Sequence, residues 1–134
     1  KIPLIGRWIK WIGGVPIDRS SSRGVVGAMM EVFAEYQRDG KFLWLGLSPE
    51  GTRKHTAGWR SGFYQLAIGA NLPLAVVRLD YRHKVMKFEG FLKLTGDVET
   101  DYVHIRQMYE GVEGFHLNQA APIHPLPARD SIKH

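Results

Sequence analysis

Two short apolar segments, the continuous Phe42–Leu47 and Leu74–Leu79 with Arg78 as its one charged residue, constrain the fold of this 134-residue chain more than any other feature. Each is bounded by turn-forming residues and is too short for a buried helix. Such runs suit strands that are covered on both faces. Between them the spacing becomes helical, from about Arg60 to Ala70. An earlier helix is expected from about Gly24 to Arg38. There Val26, Met29, Met30, Phe33 and Tyr36 form an apolar stripe, Ser20–Ser22 offers N-caps, and Asp39-Gly40 supplies a stop. Strand, helix and strand in this order imply an α/β fold: a layered structure with a mostly parallel or mixed central sheet flanked by helices.

The remaining segments fit around that unit. Lys1–Ile12, if helical, gathers Leu4, Ile5, Trp8, Ile9 and Ile12 on one broad face, which suits either a core or a bilayer surface. Gly13-Gly14 ends it, and Val15–Ile17 reads as a short strand. Beyond Leu79, Tyr81–Lys84 reads as a hairpin connection into Val85–Leu94, where Val85, Lys87 and Glu89 alternate poorly with Met86 and Phe88. A short helix is expected over Asp101–Glu110. From about residue 112 the chain becomes an extended tail; Pro122–Pro127 holds three of its seven prolines. One domain, residues 1–134, accounts for all of this.

Charge and composition exclude more than they select. The 18 Lys+Arg against 13 Asp+Glu give a net +5, which attracts phosphate, acidic lipid or nucleic acid without choosing among them. Nucleic acid is disfavoured because the basic residues are scattered and the aromatics fall at core spacing. No cysteine is present, so disulfides, thiolate metal sites and cysteine nucleophiles are excluded. No histidine pair has zinc spacing, and no glycine-rich nucleotide loop occurs, so no metal and no bound cofactor is expected. No apolar run is long enough for a membrane span. Asp101 and His104, three apart on the expected helix, read as a solvated pair rather than a catalytic dyad, and His83 falls in the hairpin turn.

The loop after the first apolar run is the most informative stretch. Ser48-Pro49-Glu50-Gly51-Thr52-Arg53 follows a strand at its carboxyl end, where open α/β sheets place their ligands. Ser48, Pro49 and Gly51 alone spell a type I turn. The turn leaves Arg53 unexplained, and Arg53 can clamp a phosphate through two parallel hydrogen bonds, with Lys54 and Arg60 adding field. Glu50 can hold Arg53 or bond a substrate hydroxyl. Asp18-Arg19, just beyond Val15–Ile17, forms a second polar pair. Asp18 can cap the next helix, or parallel strands can bring Arg19 and Arg53 onto one anion. A phosphate site and a solvated loop both remain open on these residues.

Three segments together carry a family resemblance. Gly14-Val15-Pro16-Ile17-Asp18-Arg19 resembles the second block of the glycerolipid acyltransferase superfamily. Leu47-Ser48-Pro49-Glu50-Gly51-Thr52-Arg53 resembles its third, usually Phe-Pro-Glu-Gly-Thr-Arg, and Leu72-Pro73-Leu74-Ala75-Val76-Val77 its fourth. They occur in the family's order between Gly13 and about Val77. Pro16 and Ser48 depart from the pattern without removing a charge. The first block, a His followed by Asp after four residues, has no counterpart. The residues five positions after His55, His83, His104, His116 and His124 are Arg60, Phe88, Tyr109, Ala121 and Arg129, and His134 is terminal. In the family that block precedes the second one, so it is expected upstream of Lys1, in agreement with the missing initiator Met.

The resemblance implies an enzyme, an acyltransferase of the 1-acylglycerol-3-phosphate type in phospholipid biosynthesis. It would move a fatty acyl group from acyl-CoA or acyl carrier protein to a lysophospholipid acceptor, at the cytoplasmic face of a membrane, as a peripheral protein. The missing His would act as general base on the acceptor hydroxyl. Asp18, Arg19, Glu50, Gly51, Thr52 and Arg53 would form the acceptor site, with Arg19 and Arg53 on its phosphate, and Leu74–Val77 would line the acyl region. The 134-residue chain alone is then expected to be inactive, and to expose apolar surface that invites self-association. The alternative is a non-catalytic phosphate- or lipid-binding domain that uses the same anion pocket.

Overall fold

A computed structural model describes residues 24–52 and 54–126. It is a mixed α/β structure. In chain order come helix α1 (Gly24–Arg38), helix α2 (Gly62–Gly69), strands β1 (Leu74–Asp80) and β2 (Val85–Leu92), helix α3 (Val98–Met108) and a 3-10 turn (Leu117–Gln119). The expected helix, strand and turn positions from α1 to β2 recur here, each within about two residues at its ends, with one exception.

That exception is Phe42–Leu47, which forms no strand. The run is irregular, and it is half-buried instead of covered on both faces. Leu43 and Leu45 pack on a cluster of Met29, Phe33 and Leu66 from α1 and α2. Phe42 and Trp44 face outward, 93% and 71% exposed. The anticipated parallel or mixed central sheet is also absent among the described residues: β1 and β2 form a two-stranded antiparallel hairpin. β1 is likewise covered on one face only, with Val76 buried and Val77 and Leu79 exposed. A short apolar segment fits one-sided and two-sided burial alike, so the pattern cannot tell the two apart.

The poor alternation of β2 has a local cause. Val76 pairs with Gly90 and Val77 with Phe88, so Glu89 is an extra residue on β2 and forms a bulge. Gly90 takes a positive φ of 126° there, which a residue without a Cβ adopts freely. The bulge resets the side-chain parity. Phe88 and Phe91, three apart, therefore share a face with Met86, while Lys87 and Leu92 lie on the other.

The main core lies on the Leu92 side of the hairpin. Trp59, Phe63, Tyr64, Leu94, Tyr102 and Ile105 are buried together, with Leu74 and Leu92 packed against them. Edge-to-face ring contacts organise it: Trp59 meets Phe63 at 5.9 Å and Tyr109 at 5.5 Å between centroids. α3 starts three residues before its expected position. Asp97 caps it, accepting from the backbone N–H of Glu99 at 3.1 Å and of Thr100 at 3.4 Å.

One charged side chain enters this core. Asp101, in the first turn of α3, is fully buried and not solvated as expected. Its carboxylate accepts from the Thr95 N–H at 2.9 Å, the Thr95 hydroxyl at 3.0 Å, the Gly96 N–H at 3.1 Å and the Tyr64 hydroxyl at 2.8 Å. Burial pushes its pKa up, but the donors from Thr95, Tyr64 and Gly96 outweigh it and hold the group below its ordinary value. Tyr64 is pushed up to about 12, first by burial and then by its bond to Asp101.

Candidate functional site

The loop between Phe42–Leu47 and α2 is folded from within. The Gly51 N–H donates to the Ser48 carbonyl at 3.0 Å, closing the turn that Ser48, Pro49 and Gly51 announce. Gly51 has φ +64°, and a Cβ there would come 2.9 Å from Cδ of Arg60. Glycine is thus required twice, by the backbone and by the arginine lying across it. The Thr52 hydroxyl oxygen accepts from the Lys54 N–H at 3.1 Å, a second local turn.

Arg60, expected as a source of field, is a clamp. Its backbone N–H donates to the Pro49 carbonyl at 2.9 Å and its Nε to the Glu50 carbonyl at 3.2 Å. The loop therefore has its two ends tied together just before α2 begins.

The tail closes the other side. Glu50 Oε1 accepts from the Ala121 N–H at 3.0 Å. The Trp59 N–H donates to the His124 carbonyl at 2.8 Å, and the Leu126 N–H donates to the Trp59 carbonyl at 2.7 Å. Arg106 Nη1 adds a bond to the Ile123 carbonyl at 3.1 Å. The crossing is so close that a Cβ on Gly58 would lie 2.7 Å from the His124 carbonyl oxygen. Glu50 and Ala121 lie 71 positions apart in sequence, and Arg106 and Ile123 lie 17 apart, so no local pattern announces these ties.

Of the expected site residues, Glu50, Gly51, Thr52, Lys54 and Arg60 therefore belong to one short, doubly tied loop. Asp18, Arg19 and Arg53 lie outside the described residues, as do the strand Val15–Ile17 and the helix Lys1–Ile12. Lys54 is exposed at the surface of the loop.

Beside the loop opens an apolar cleft of about 590 Å³, which sequence reasoning did not locate. Phe42–Leu47 forms one wall and Leu72–Val77 the other; Trp59, Phe63 and Leu66 lie among the remaining lining residues, and Pro49 of the loop also lines it. The cleft exists because Phe42–Leu47 and β1 run as walls without pairing to each other. Its only forecast was the expectation that Leu74–Val77 lines an acyl region, and these four residues do line the cleft.

Neither His83 nor His104 supplies a base at this site. His83 Nδ1 lies 2.7 Å from Asp80 Oδ2, but the pair belongs to the hairpin turn. Asp80 also accepts from the N–H groups of Arg82 at 3.0 Å and His83 at 3.2 Å. The hydrogen bond from the His83 ring lowers the Asp80 pKa. His104 is exposed on α3 and Asp101 is engaged elsewhere. Neither histidine lines the cleft. Among the described residues no cluster of histidine and acidic side chains could hold a metal ion, and no helix is long and apolar enough to cross a membrane.

No protein-family model, no curated protein and no solved structure matches this chain.

Proposed function

We propose that the chain binds a phosphate-bearing amphiphile, as the acceptor half of a glycerophospholipid acyltransferase. The observation that carries this reading is that Pro49, the residue before Glu50 in the tied turn, lines the apolar cleft, so polar loop and cleft adjoin. A lysophospholipid has that polarity, a phosphate headgroup joined to one acyl chain. In this reading the headgroup meets Arg53 and Lys54, and the chain enters between Phe42–Leu47 and Leu74–Val77. Arg19 would reach the same phosphate from the segment before α1.

The layered, mostly parallel sheet belongs to this reading too. Phe42–Leu47, α2 and β1 have the order of a strand–helix–strand crossover, and pairing along the cleft walls would complete it. Catalysis would require a histidine base that this sequence does not contain in the His-x4-Asp form. The second reading is a domain that binds phosphate-bearing lipid at the same site without chemistry. The acyl donor, acyl-CoA or acyl carrier protein, matters only to the first. In either case binding would occur peripherally, at the cytoplasmic face of a membrane.

Titration of the 134-residue chain with glycerol phosphate and with lysophosphatidate separates these ideas. The expected result is measurable binding of both, lost in Arg53→Ala, with lysophosphatidate tighter because each buried methylene adds about 0.8 kcal/mol. Equal affinities would remove the cleft from the proposal, and unaltered binding by Arg53→Ala would remove the loop. An acyl-transfer assay on the same sample is expected to show no turnover; measurable turnover would reject the requirement for the His-x4-Asp base.

A further inference from the structure

Glu50 is the one acidic residue between Asp39 and Asp80, and Arg53, Lys54 and Arg60 follow it closely. Charge alone would pair it with one of them. Among the described residues its carboxylate makes no such pair: Oε1 accepts from the Ala121 N–H at 3.0 Å. Arg60 Nε comes near enough to bond the Glu50 backbone carbonyl at 3.2 Å, and the side chain turns away from it to the tail.

The donor is held in place without help from Glu50. The Ala121 side chain is buried in the main core with Trp59 and Tyr102. Before it, the Glu113 carbonyl accepts from the Tyr81 N–H at 2.9 Å, and the Glu113 carboxylate meets Arg82 Nη1 at 2.8 Å. After it, His124 and Leu126 bond the two backbone groups of Trp59. A carboxylate on a fixed, part-buried N–H gains more than one paired with an exposed lysine.

We propose that the tail, through Ala121, holds Glu50 out of an anion site that Glu50 would otherwise fill itself. The inference rests on the reading of this loop as an anion site, and it names how that site is regulated. Arg60 already reaches the Glu50 backbone, and Lys54 follows four positions later. A released carboxylate is therefore an intramolecular anion at high effective concentration, in competition with any phosphate from outside. Ala121 is a positioning residue: it acts on the ligand through Glu50. Docking of the tail and binding of phosphate are then linked, and each favours the other.

The test is titration of glycerol phosphate, at low ionic strength, into the natural chain, Ala121→Pro, Glu50→Ala and the double variant. Proline removes the N–H that Glu50 uses, in a segment that continues into Pro122. Ala121→Pro is expected to weaken binding about fivefold, the upper strength of an exposed ion pair, and the double variant to regain it. Glu50→Ala should raise affinity less in the natural chain, where the carboxylate is already held away, than beside Ala121→Pro. An equal gain in both backgrounds, or no weakening by Ala121→Pro, would overturn the proposal. Glu50→Asp repeats the test without altering the buried Ala121 side chain, because the shorter carboxylate loses Ala121 and keeps its charge. It should bind about fivefold more weakly than the natural chain, whereas Glu50→Ala should not weaken binding. Equal weakening by Asp and Ala would make Glu50 a structural tie alone and overturn the proposal as well. Absence of binding by the natural chain would instead reject the anion site itself, and this inference with it.

Discussion

Asp101 and Glu50 are both carboxylates that fasten distant parts of the chain, and they do so in opposite environments. Asp101 is fully buried and draws all of its partners from Tyr64, Thr95 and Gly96. Glu50 is half-buried on a loop at the edge of a cleft, and it holds Ala121 of the tail. The first is surrounded by neutral donors; the second has Arg60 lying over its loop and Lys54 exposed nearby. A charge that a core consumes completely serves the fold. A loop that is tied down at both ends and still exposes Lys54 is the feature on which the proposed anion site rests.

The largest expected effect is at Asp101. Asp101→Ala would orphan the Tyr64 hydroxyl and the N–H groups of Thr95 and Gly96, and should cost roughly 3–5 kcal/mol in urea denaturation. Loss of less than about 1 kcal/mol would mean that water replaces the carboxylate and that the site is not closed. The same network sets the pH limits. The lowered pKa of Asp101 contributes stability that is complete above the ordinary carboxylate value, near 4, and is lost as pH falls through the lower native value. Tyr64 contributes stability that is complete below its ordinary pKa of about 10 and is lost as pH rises toward about 12. Tyr64→Phe should therefore flatten the alkaline limb of a stability–pH curve. An unchanged alkaline limb would argue against Tyr64 as its source.

Gly58→Ala comes next. The added Cβ would meet the His124 carbonyl oxygen at 2.7 Å, so the tail must shift, at about 1–3 kcal/mol. Hydrogen exchange at Trp59 and Leu126, which bond across this crossing, should accelerate with it. Protection that survives the substitution would show that the crossing is looser than its geometry.

How much of this was legible in the sequence depends on how local each signal is. α1 was readable because its stripe and its Asp39-Gly40 stop lie within 17 residues, and the structure ends the helix at Arg38. β2 was readable as a strand but not as a face, because the bulge at Glu89 breaks the period on which a face is recognised. Phe42–Leu47 was misread as a buried strand because its apolarity says nothing about whether a neighbour bonds its backbone. The turn at Ser48–Gly51 was legible from Pro49 and Gly51. Arg60 was expected to add field, and its clamp on the loop was not legible, since its partner carbonyls at Pro49 and Glu50 carry no side-chain signature. Asp101 looked solvated because its partners Tyr64 and Thr95 come from different segments. Contacts of that range are set by packing and cannot be read from spacing.

Glu50→Ala removes one charge-assisted bond, to Ala121, and should cost about 1.5–2 kcal/mol. Its more specific readout is the tail, where Ala121 should lose hydrogen-exchange protection while the Asp101 network keeps its own. Equal loss of protection at Thr95 would mean that the tail and the core open as one unit, and the contrast between the two carboxylates would fail.

Lys54→Ala should change stability least and still matter to the comparison. Lys54 is exposed, and no side-chain tie of its own appears among the described contacts; its backbone N–H alone bonds Thr52. Its removal should shift stability by no more than about 0.5 kcal/mol. If the loop is arranged for an outside anion, the same change should weaken glycerol phosphate binding severalfold at low ionic strength, and added salt should shrink that difference. Binding that is insensitive to both Lys54→Ala and salt would leave the loop with no more claim on a ligand than Asp101 has. Glu50 would then be what Asp101 is, a carboxylate that only holds the chain together.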